Sequence, residues 1–291
     1  MKQLTVILTG AGGQLGQELQ RCVPDGVRLH ALDSRSLDVT DKKAVQEAFE
    51  RIAPDVVINA AAYTAVDKAE TDSGRAYAVN AEAPRLIAEA CRGSACRIVH
   101  ISTDFVFDGR KSSPYLPDDA VNPLSVYGAS KLQGEQHLLD LVPESALIIR
   151  TSWLYSALGN NFVKTMLRLM AEREQLGVIA DQVGTPTHAK GLAEAVWAFL
   201  ERGMASGIHH WSDAGVASWY DFAVAIMEEG IAAGLLQKPL SIRPIQTTDY
   251  PTPAERPKYS VLDKTTTWAA LASEPVHWRV ALRAMLGEIA S

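Results

Sequence analysis

A tyrosine and a lysine four residues apart carry the most chemical promise in this chain of 291 residues: Tyr127 and Lys131, in Val126-Tyr-Gly-Ala-Ser-Lys131. On a helix that spacing stacks two side chains on one face. An ammonium beside a phenol favours the phenolate and is expected to lower a pKa that starts at about 10. A phenol tuned in that way gives or takes a proton near neutral pH. Spacing alone is weak evidence, because an exposed tyrosine and a solvated lysine meet it on many helices. The rest of the chain decides what the pair is for.

A cofactor signal stands at the other end of the sequence. Leu4-Thr-Val-Ile-Leu-Thr9 is apolar and β-branched, as a buried parallel strand should be. It runs into Gly10-Ala-Gly-Gly13-Gln-Leu-Gly16, and Gln17-Glu-Leu-Gln-Arg-Cys22 then reads as helix. Strand, glycine turn and helix in that order form a dinucleotide-binding fingerprint. Glycines let backbone approach a pyrophosphate, which faces the helix N-terminus. Gly10, Gly13 and Gly16 are spaced G-x-x-G-x-x-G rather than G-x-G-x-x-G, with Gln14 and Leu15 between the last two. An ordinary left-handed turn would explain glycines by themselves; the flanking elements favour the cofactor. A second strand, Val27-Arg-Leu-His-Ala-Leu32, ends at Asp33. An acid there suits a free ribose 2′-hydroxyl and NAD. Arg35 suits a 2′-phosphate and NADP. Both signals stand in the sequence. Asp38 and Val39 are placed beside the adenine, and Asp41 caps the next helix.

Strand and helix patterns alternate onwards. Val56-Val-Ile-Asn59, Arg97-Ile-Val-His-Ile101 and Ala146-Leu-Ile-Ile-Arg150 read as strands; residues 42–52, 73–91 and 125–141 read as helices. This predicts a parallel sheet covered on both faces, with ligands outside the carboxyl ends of the strands. Small residues after the third strand let a cofactor lie against backbone, so Ala61, Ala62, Tyr63 and Thr64 are candidates to border the nicotinamide ribose. Ser102 and Thr103 follow the fourth strand, where a hydroxyl reaches a bound carbonyl. Helices over residues 158–170, 189–200 and 219–229 and a proline-rich segment over 249–259 make up the less regular remainder. Arg256 lies in that segment and is of the type that grips phosphate.

The expected fold is α/β, a Rossmann-type doubly wound parallel sheet with a smaller C-terminal α/β substrate-binding lobe. Residues 1–151 would form the NAD(P)-binding part, completed by about 181–212, and 152–291 mostly the lobe. A net charge of −6 gives no electrostatic footprint for nucleic acid. The N-terminus enters a strand directly, unlike a signal peptide, and no apolar run approaches the ~18 residues of a membrane span. Cys22, Cys91 and Cys96 are odd in number and lack metal-site spacing. They suit a reducing cytosol, so a cytoplasmic location is expected.

Together, Gly10-Ala-Gly-Gly-Gln-Leu-Gly16, Ser102-Thr-Asp104 and Tyr127-x-x-x-Lys131 resemble the extended short-chain dehydrogenases/reductases. More selective blocks are Asn59-Ala-Ala-Ala-Tyr-Thr-Ala-Val-Asp-Lys-Ala-Glu70, Ser102-Thr-Asp-Phe-Val-Phe-Asp-Gly109, Arg150-Thr-Ser-Trp-Leu-Tyr155, Gly159-Asn-Asn-Phe-Val-Lys-Thr-Met166, Asp181-Gln-Val-Gly-Thr-Pro186 and Ala254-Glu-Arg-Pro-Lys-Tyr-Ser260. In this order, over nearly the whole chain, they resemble the dTDP-4-dehydrorhamnose reductases. The resemblance implies NADPH-dependent reduction of the C4 ketone of dTDP-4-dehydro-L-rhamnose to dTDP-L-rhamnose, with NADH as a second candidate cofactor. It implies Tyr127 as proton donor, Lys131 as the residue that holds the nicotinamide ribose, and Thr103 as a hydrogen-bond donor to the ketone. Thr103, Asp104 and Trp153 would contact the sugar nucleotide; Asn161, Lys164 and Arg256 are candidates for the diphosphate and base. Gly13, Gln14, Leu15, Asp33, Asp38, Val39, Ala62, Tyr63, Thr64 and Ser102 would line the cofactor.

Two positions depart from that pattern. Phe105 stands where many members carry Tyr, which removes a polar contact. Some members dimerise around Mg²⁺ held by acidic side chains, and one such position matches Lys190, with Glu194 a turn later. Protonated lysine repels Mg²⁺ rather than ligating it. A metal-independent enzyme is therefore expected, as a monomer or homodimer. Competing readings are a reductase of another dTDP-4-keto sugar and a non-catalytic NADP-binding regulatory subunit of the methionine adenosyltransferase type. If the lysine reading holds, EDTA treatment leaves the rate within about twofold of the untreated enzyme. Activity lost to EDTA and restored by Mg²⁺ would contradict it.

Overall fold

Apolar strands this short need cover on both faces, and the chain supplies it from two sets of helices. A computed structural model describes residues 3–203, 205–274 and 276–291. Its main sheet has six parallel strands: β1 Leu4–Thr9, β2 Val27–Leu32, β3 Val56–Asn59, β4 Arg97–Thr103, β5 Ala146–Thr151 and β6 Gly207–His210. They lie in the order β6-β5-β4-β3-β1-β2. The order reverses between β1 and β3, which opens a crevice at the carboxyl ends of those strands. The expected α/β doubly wound sheet is borne out. Its sixth strand, β6, comes from late in the chain and pairs with β5 through Ile208 and Ile148.

Helix α1, Gln14–Arg21, and a later helix, Ala189–Glu201, cover one face, with Leu15, Leu19, Val196 and Trp197 packed on Val6, Leu8, Val56 and Leu147. The other face carries α2, Lys42–Ile52, α3, Ala83–Cys91, and α4, Val126–Leu141, over Ile7, Val57, Ile98 and Ile148. Gly10 makes the first turn possible. Its φ is +69°, and a Cβ there would lie 2.6 Å from the Ala60 carbonyl carbon. Helix α1 starts three residues earlier than the hydropathy suggests, because Gly13 adopts extended backbone and serves as its N-cap.

The remaining residues build a second apolar centre. Strands Gln175–Ile179 and Ser241–Ile245 pair in parallel, with Val163, Phe222, Ile226, Trp278 and Leu282 in the core beside them. Neither strand was expected, nor were β6 and the helices Thr265–Leu271 and Trp278–Ala290. Gly177 and Pro244 interrupt the strand signal in the small pair.

The helix expected over residues 73–91 is real but not uniform. Ser73–Tyr77 and α3 are joined by a π-turn, Ala78–Glu82. Helix α4 presses against that turn at Gly134, where a Cβ would sit 2.1 Å from the Asn80 carbonyl oxygen. Substituting Gly134→Ala should cost about 1–3 kcal/mol in urea denaturation, the usual price of overpacking. At Gly287, where an added Cβ meets nothing within 4 Å, the same change should be neutral or gain up to about 1 kcal/mol of helix propensity.

Candidate active site

The end of β4 and the first turns of α4 bring the chemistry-bearing side chains together. Ser125 caps α4 by accepting from the Gly128 N–H at 3.2 Å, and Glu70 accepts from the Val126 N–H at 2.9 Å. These contacts fix the turn that carries Tyr127. Asn80, on the π-turn, accepts from the Tyr63 N–H at 2.9 Å and donates to the Tyr63 carbonyl at 3.0 Å and the Ser130 hydroxyl at 3.1 Å. The loop after β3 is thereby tied to α4.

Lys131 is 1 % exposed. Its Nζ donates to the Ile101 carbonyl at 2.6 Å and lies 3.2 Å from His100 Nε2. Burial pulls the amine down to about 8, with Glu135 acting against that fall. Tyr127 is half-buried and edge-on to Phe105, ring centres 5.6 Å apart. Here the expectation from spacing needs correction. Burial pushes the phenol up to about 12; the nearby Thr103 hydroxyl opposes the rise and the Asp104 charge adds to it. The lysine amine is turned toward the β4 backbone and His100, so a lowered tyrosine pKa is not what this arrangement gives.

Thr103 is the hinge of the cluster. Its hydroxyl donates to Asp104 Oδ1 at 3.1 Å and accepts from the Phe105 N–H at 3.2 Å. Burial raises Asp104 to about 6. The Ser260 hydroxyl lies near enough to ease that rise, yet the buried Oδ2 is left without a well-directed hydrogen bond among the described residues. Below Thr103, the Ser102 hydroxyl donates to Glu135. Glu135 is also gripped by Arg150, with Nη2 to Oε2 at 2.7 Å, and both are almost fully buried.

A cavity of about 470 Å³ opens on this cluster. Gly13, Gln14, Leu15 and Gly16 wall one end, and Ala62, Thr64, Ser102, Thr103, Asp104, Tyr127, Lys131, Trp153 and Arg256 wall the rest. Trp219 completes it, stacked on Trp153 at 3.6 Å. Trp153 holds φ at +45°, a left-handed conformation uncommon outside glycine. Arg256 is half-buried and paired with Asp67, Nη2 to Oδ2 at 2.7 Å.

Several expected residues lie outside the cavity wall. Gly10 shapes the turn from behind, and Tyr63 donates to Asp72 at 3.1 Å. Asp33 Oδ1 accepts from the N–H groups of Arg35 and Ser36 at 3.1 and 3.0 Å, while Arg35 stays exposed. Asp38 caps Thr40 at 2.9 Å, and Val39 is buried core. Asn161 is the N-cap of the helix Phe162–Glu172, and its amide donates to Gln14 at 2.8 Å. Lys164 Nζ donates to the Ala157 carbonyl at 2.7 Å. Asn161 and Lys164 therefore support the cavity from outside here. Lys190 faces solvent 3.9 Å from Glu194. Sequence reasoning missed Asn59, Asn80, His100, Glu135, Arg150 and Trp219. The signal for the first four was position: polar residues inside otherwise apolar strands or on the sheet-facing side of helices.

The residues fit a dinucleotide. Gly13 caps α1 without any side-chain cap, which leaves the first N–H groups of that helix open toward the cavity. The family model described as RmlD substrate binding domain matches residues 4–291. A dTDP-4-dehydrorhamnose reductase of Aggregatibacter actinomycetemcomitans is 44% identical over 285 residues, covering 96% of this chain and 97% of that one. This chain belongs to the dTDP-4-dehydrorhamnose reductase family. Among solved structures, the family member from Clostridium acetobutylicum is 39% identical with a TM-score of 0.92, covering 99% of this chain and 100% of that one. The reductase from Bacillus anthracis, solved in complex with NADP, is 36% identical with the same TM-score of 0.92, covering 99% and 100%.

Glu135→Ala would leave the Arg150 guanidinium buried without its counter-charge. The expected loss is about 3–5 kcal/mol in chemical denaturation. A loss below about 1 kcal/mol would show that the pair does not anchor β4, β5 and α4.

Proposed function

We propose that this reductase uses NADPH to convert the C4 ketone of dTDP-4-dehydro-L-rhamnose to the alcohol, giving dTDP-L-rhamnose. One observation carries the reading. The Tyr127 phenol lies beside the Thr103 hydroxyl, near enough to ease its raised pKa, on the wall of a cavity that also holds the glycine turn. Two donors side by side suit an oxygen on which negative charge develops.

When bound, the nicotinamide cofactor supplies the hydride to C4. Tyr127 gives its proton to O4, and its raised pKa keeps it in the donor form at neutral pH. Thr103 donates a second hydrogen bond to the same oxygen once its hydroxyl turns from Asp104. Lys131 holds the nicotinamide ribose and, as a cation, stabilises the phenolate left after transfer. Asp104 Oδ2, short of a partner, accepts from a sugar hydroxyl. Trp153 and Trp219 offer a flat apolar face to the deoxysugar. Arg256, anchored by Asp67, meets the diphosphate.

The first N–H groups of α1 hold the pyrophosphate. Arg35 is exposed and open to a 2′-phosphate, while Asp33, whose Oδ1 already accepts three hydrogen bonds from Arg35 and Ser36, keeps Oδ2 for a 2′-hydroxyl. NADPH with NADH as a second cofactor follows from that pair. Residues 1–151 with β6 form the cofactor-binding part, and most of 152–291 the substrate lobe. The three free thiols suit a cytoplasmic setting. No described helix is long and apolar enough to cross a membrane.

A coupled assay on dTDP-4-dehydro-L-rhamnose, with NADPH and NADH followed separately and the product sugar identified by NMR, tests the assignment. Turnover of a different dTDP-4-keto sugar alone would move it to that substrate. Tyr127→Phe should lower kcat by about 10²–10⁴ with cofactor affinity little changed, the usual weight of one general acid. Near-wild-type turnover by that variant would sink the mechanism.

A further inference from the structure

Polar groups stand in file behind Lys131, and the first dictates the state of the last. The Ala61 N–H lies 3.3 Å from Asn59 Oδ1, and the Thr9 hydroxyl donates to that oxygen at 2.7 Å. A backbone N–H only donates, so the Asn59 carbonyl faces it and the amide nitrogen points the other way. That nitrogen is 3.0 Å from His100 Nδ1. An amide nitrogen also only donates, so Nδ1 accepts, and the single proton of a neutral His100 sits on Nε2. Burial keeps His100 neutral. Nε2–H then points at Lys131 Nζ, 3.2 Å away.

An ammonium has three donors and no acceptor, so two donors would confront each other across that gap. The file closes if Nζ is a neutral amine that accepts from His100 and donates to the Ile101 carbonyl. Asn59, His100 and Lys131 are each no more than 1 % exposed, so solvent cannot relieve a mismatch. The other ionisable groups near Lys131 are Glu135 and Tyr127 on α4, Asp104 after β4 and Arg150 on β5. Glu135 favours the cation, but its carboxylate is shared with Arg150 and Ser102.

We propose that Lys131 is a protonation switch set by the His100 tautomer: docked on His100 and the Ile101 carbonyl it holds its proton weakly and is a neutral amine in mildly alkaline solution, and it is an ammonium once it turns to the ribose hydroxyls of a bound cofactor. The proton comes from solvent, so cofactor binding takes up a proton, and His100 and Asn59 are positioning residues for Lys131. This rests on the reading of Lys131 as a cofactor contact.

The sign follows directly. The free amine titrates at about 8, and an ammonium among hydroxyls returns toward its ordinary value of about 10. Binding therefore weakens as pH rises between those values, and proton uptake peaks at about pH 9. Asp104, at about 6, is already ionised there, and Tyr127, at about 12, is still protonated. A 2′-phosphate, with its second pKa at about 6, is also fully ionised. Lys264 also titrates at about 8 but lies outside the cavity wall, so it is a background common to every variant.

Calorimetric titration of the full chain with NADPH at about pH 9, in buffers of different ionisation enthalpy, counts the protons. The wild type should take up about 0.5–1 proton per cofactor. His100→Gln can present a carbonyl to the ammonium, and Asn59→Asp forces the imidazole proton onto Nδ1 and frees Nε2 to accept. Both should bind NADPH with uptake cut to less than about a third of the wild-type value. Lys131→Met should show none. Nitrogen NMR of the free wild-type protein needs no substitution and should show the Nε2–H tautomer of His100; the Nδ1–H form would overturn the proposal. NADPH binding without uptake, or undiminished uptake in both the His100 and Asn59 variants, would sink it while leaving the reductase reading intact. Failure of the wild type to bind NADPH at all would remove the reductase reading and this proposal with it.

Discussion

Burying the Lys131 amine in the seam between β4 and α4 is the constraint on which the rest of the site depends. A primary amine cannot sit there without polar partners. The Ile101 carbonyl and His100 supply them, and His100 is in turn held by Asn59 on the neighbouring strand. The same seam holds a second buried pair, Glu135 with Arg150, which locks α4 to β5 and takes the Ser102 hydroxyl on the way. Together these contacts fix the height and rotation of α4. Tyr127, one turn before Lys131, is then presented to Thr103 without any freedom of its own. Close approach is part of this: α4 carries Gly134 where it meets the π-turn, and that turn places Asn80 to hold the loop after β3.

Much of this was legible in the residues. The apolar β-branched runs of β1 and β3, the glycine turn and the Tyr127–Lys131 spacing each encode local geometry, and the structure puts them where periodicity predicts. Thr103, Asp104, Trp153 and Arg256 also meet in the cavity. What spacing could not reveal was environment. Two residues four apart on a helix share a face, but which way an amine points depends on strands that are distant in sequence. Hence the phenol is raised where a lowered value was expected. Asn161 and Lys164 carry side chains suited to phosphate, yet a helix cap and a nearby carbonyl claim them. The paired strands Gln175–Ile179 and Ser241–Ile245 stabilise each other across more than sixty residues of chain, and no local window contains that information.

The two halves of the cavity are also joined behind its wall. The Ser156 hydroxyl donates to the buried Glu18 carboxylate at 2.5 Å, and the Asn161 amide reaches Gln14 at 2.8 Å. Both contacts link the helix that follows the glycine turn to the start of the second apolar centre. The helix beside the glycine turn therefore sets the position of the element that borders the proposed sugar site. In the proposed reaction, coupling of this kind would hold hydride donor and acceptor in one frame, which is where most of the advantage of an enclosed reaction comes from.

The tryptophan pair has a consequence of a different kind. Trp153 leaves the sheet just after β5 with a left-handed backbone and stacks on Trp219, which belongs to no strand of the main sheet. In the proposed reaction, the aromatic face that meets the sugar is thus built from parts separate from those that move the proton. Drift in evolution can exchange that wall, one aromatic at a time, and send the same acid and the same hydride chemistry to a new deoxyhexose. A fold arranged this way invites descendants that keep their reaction and change their substrate.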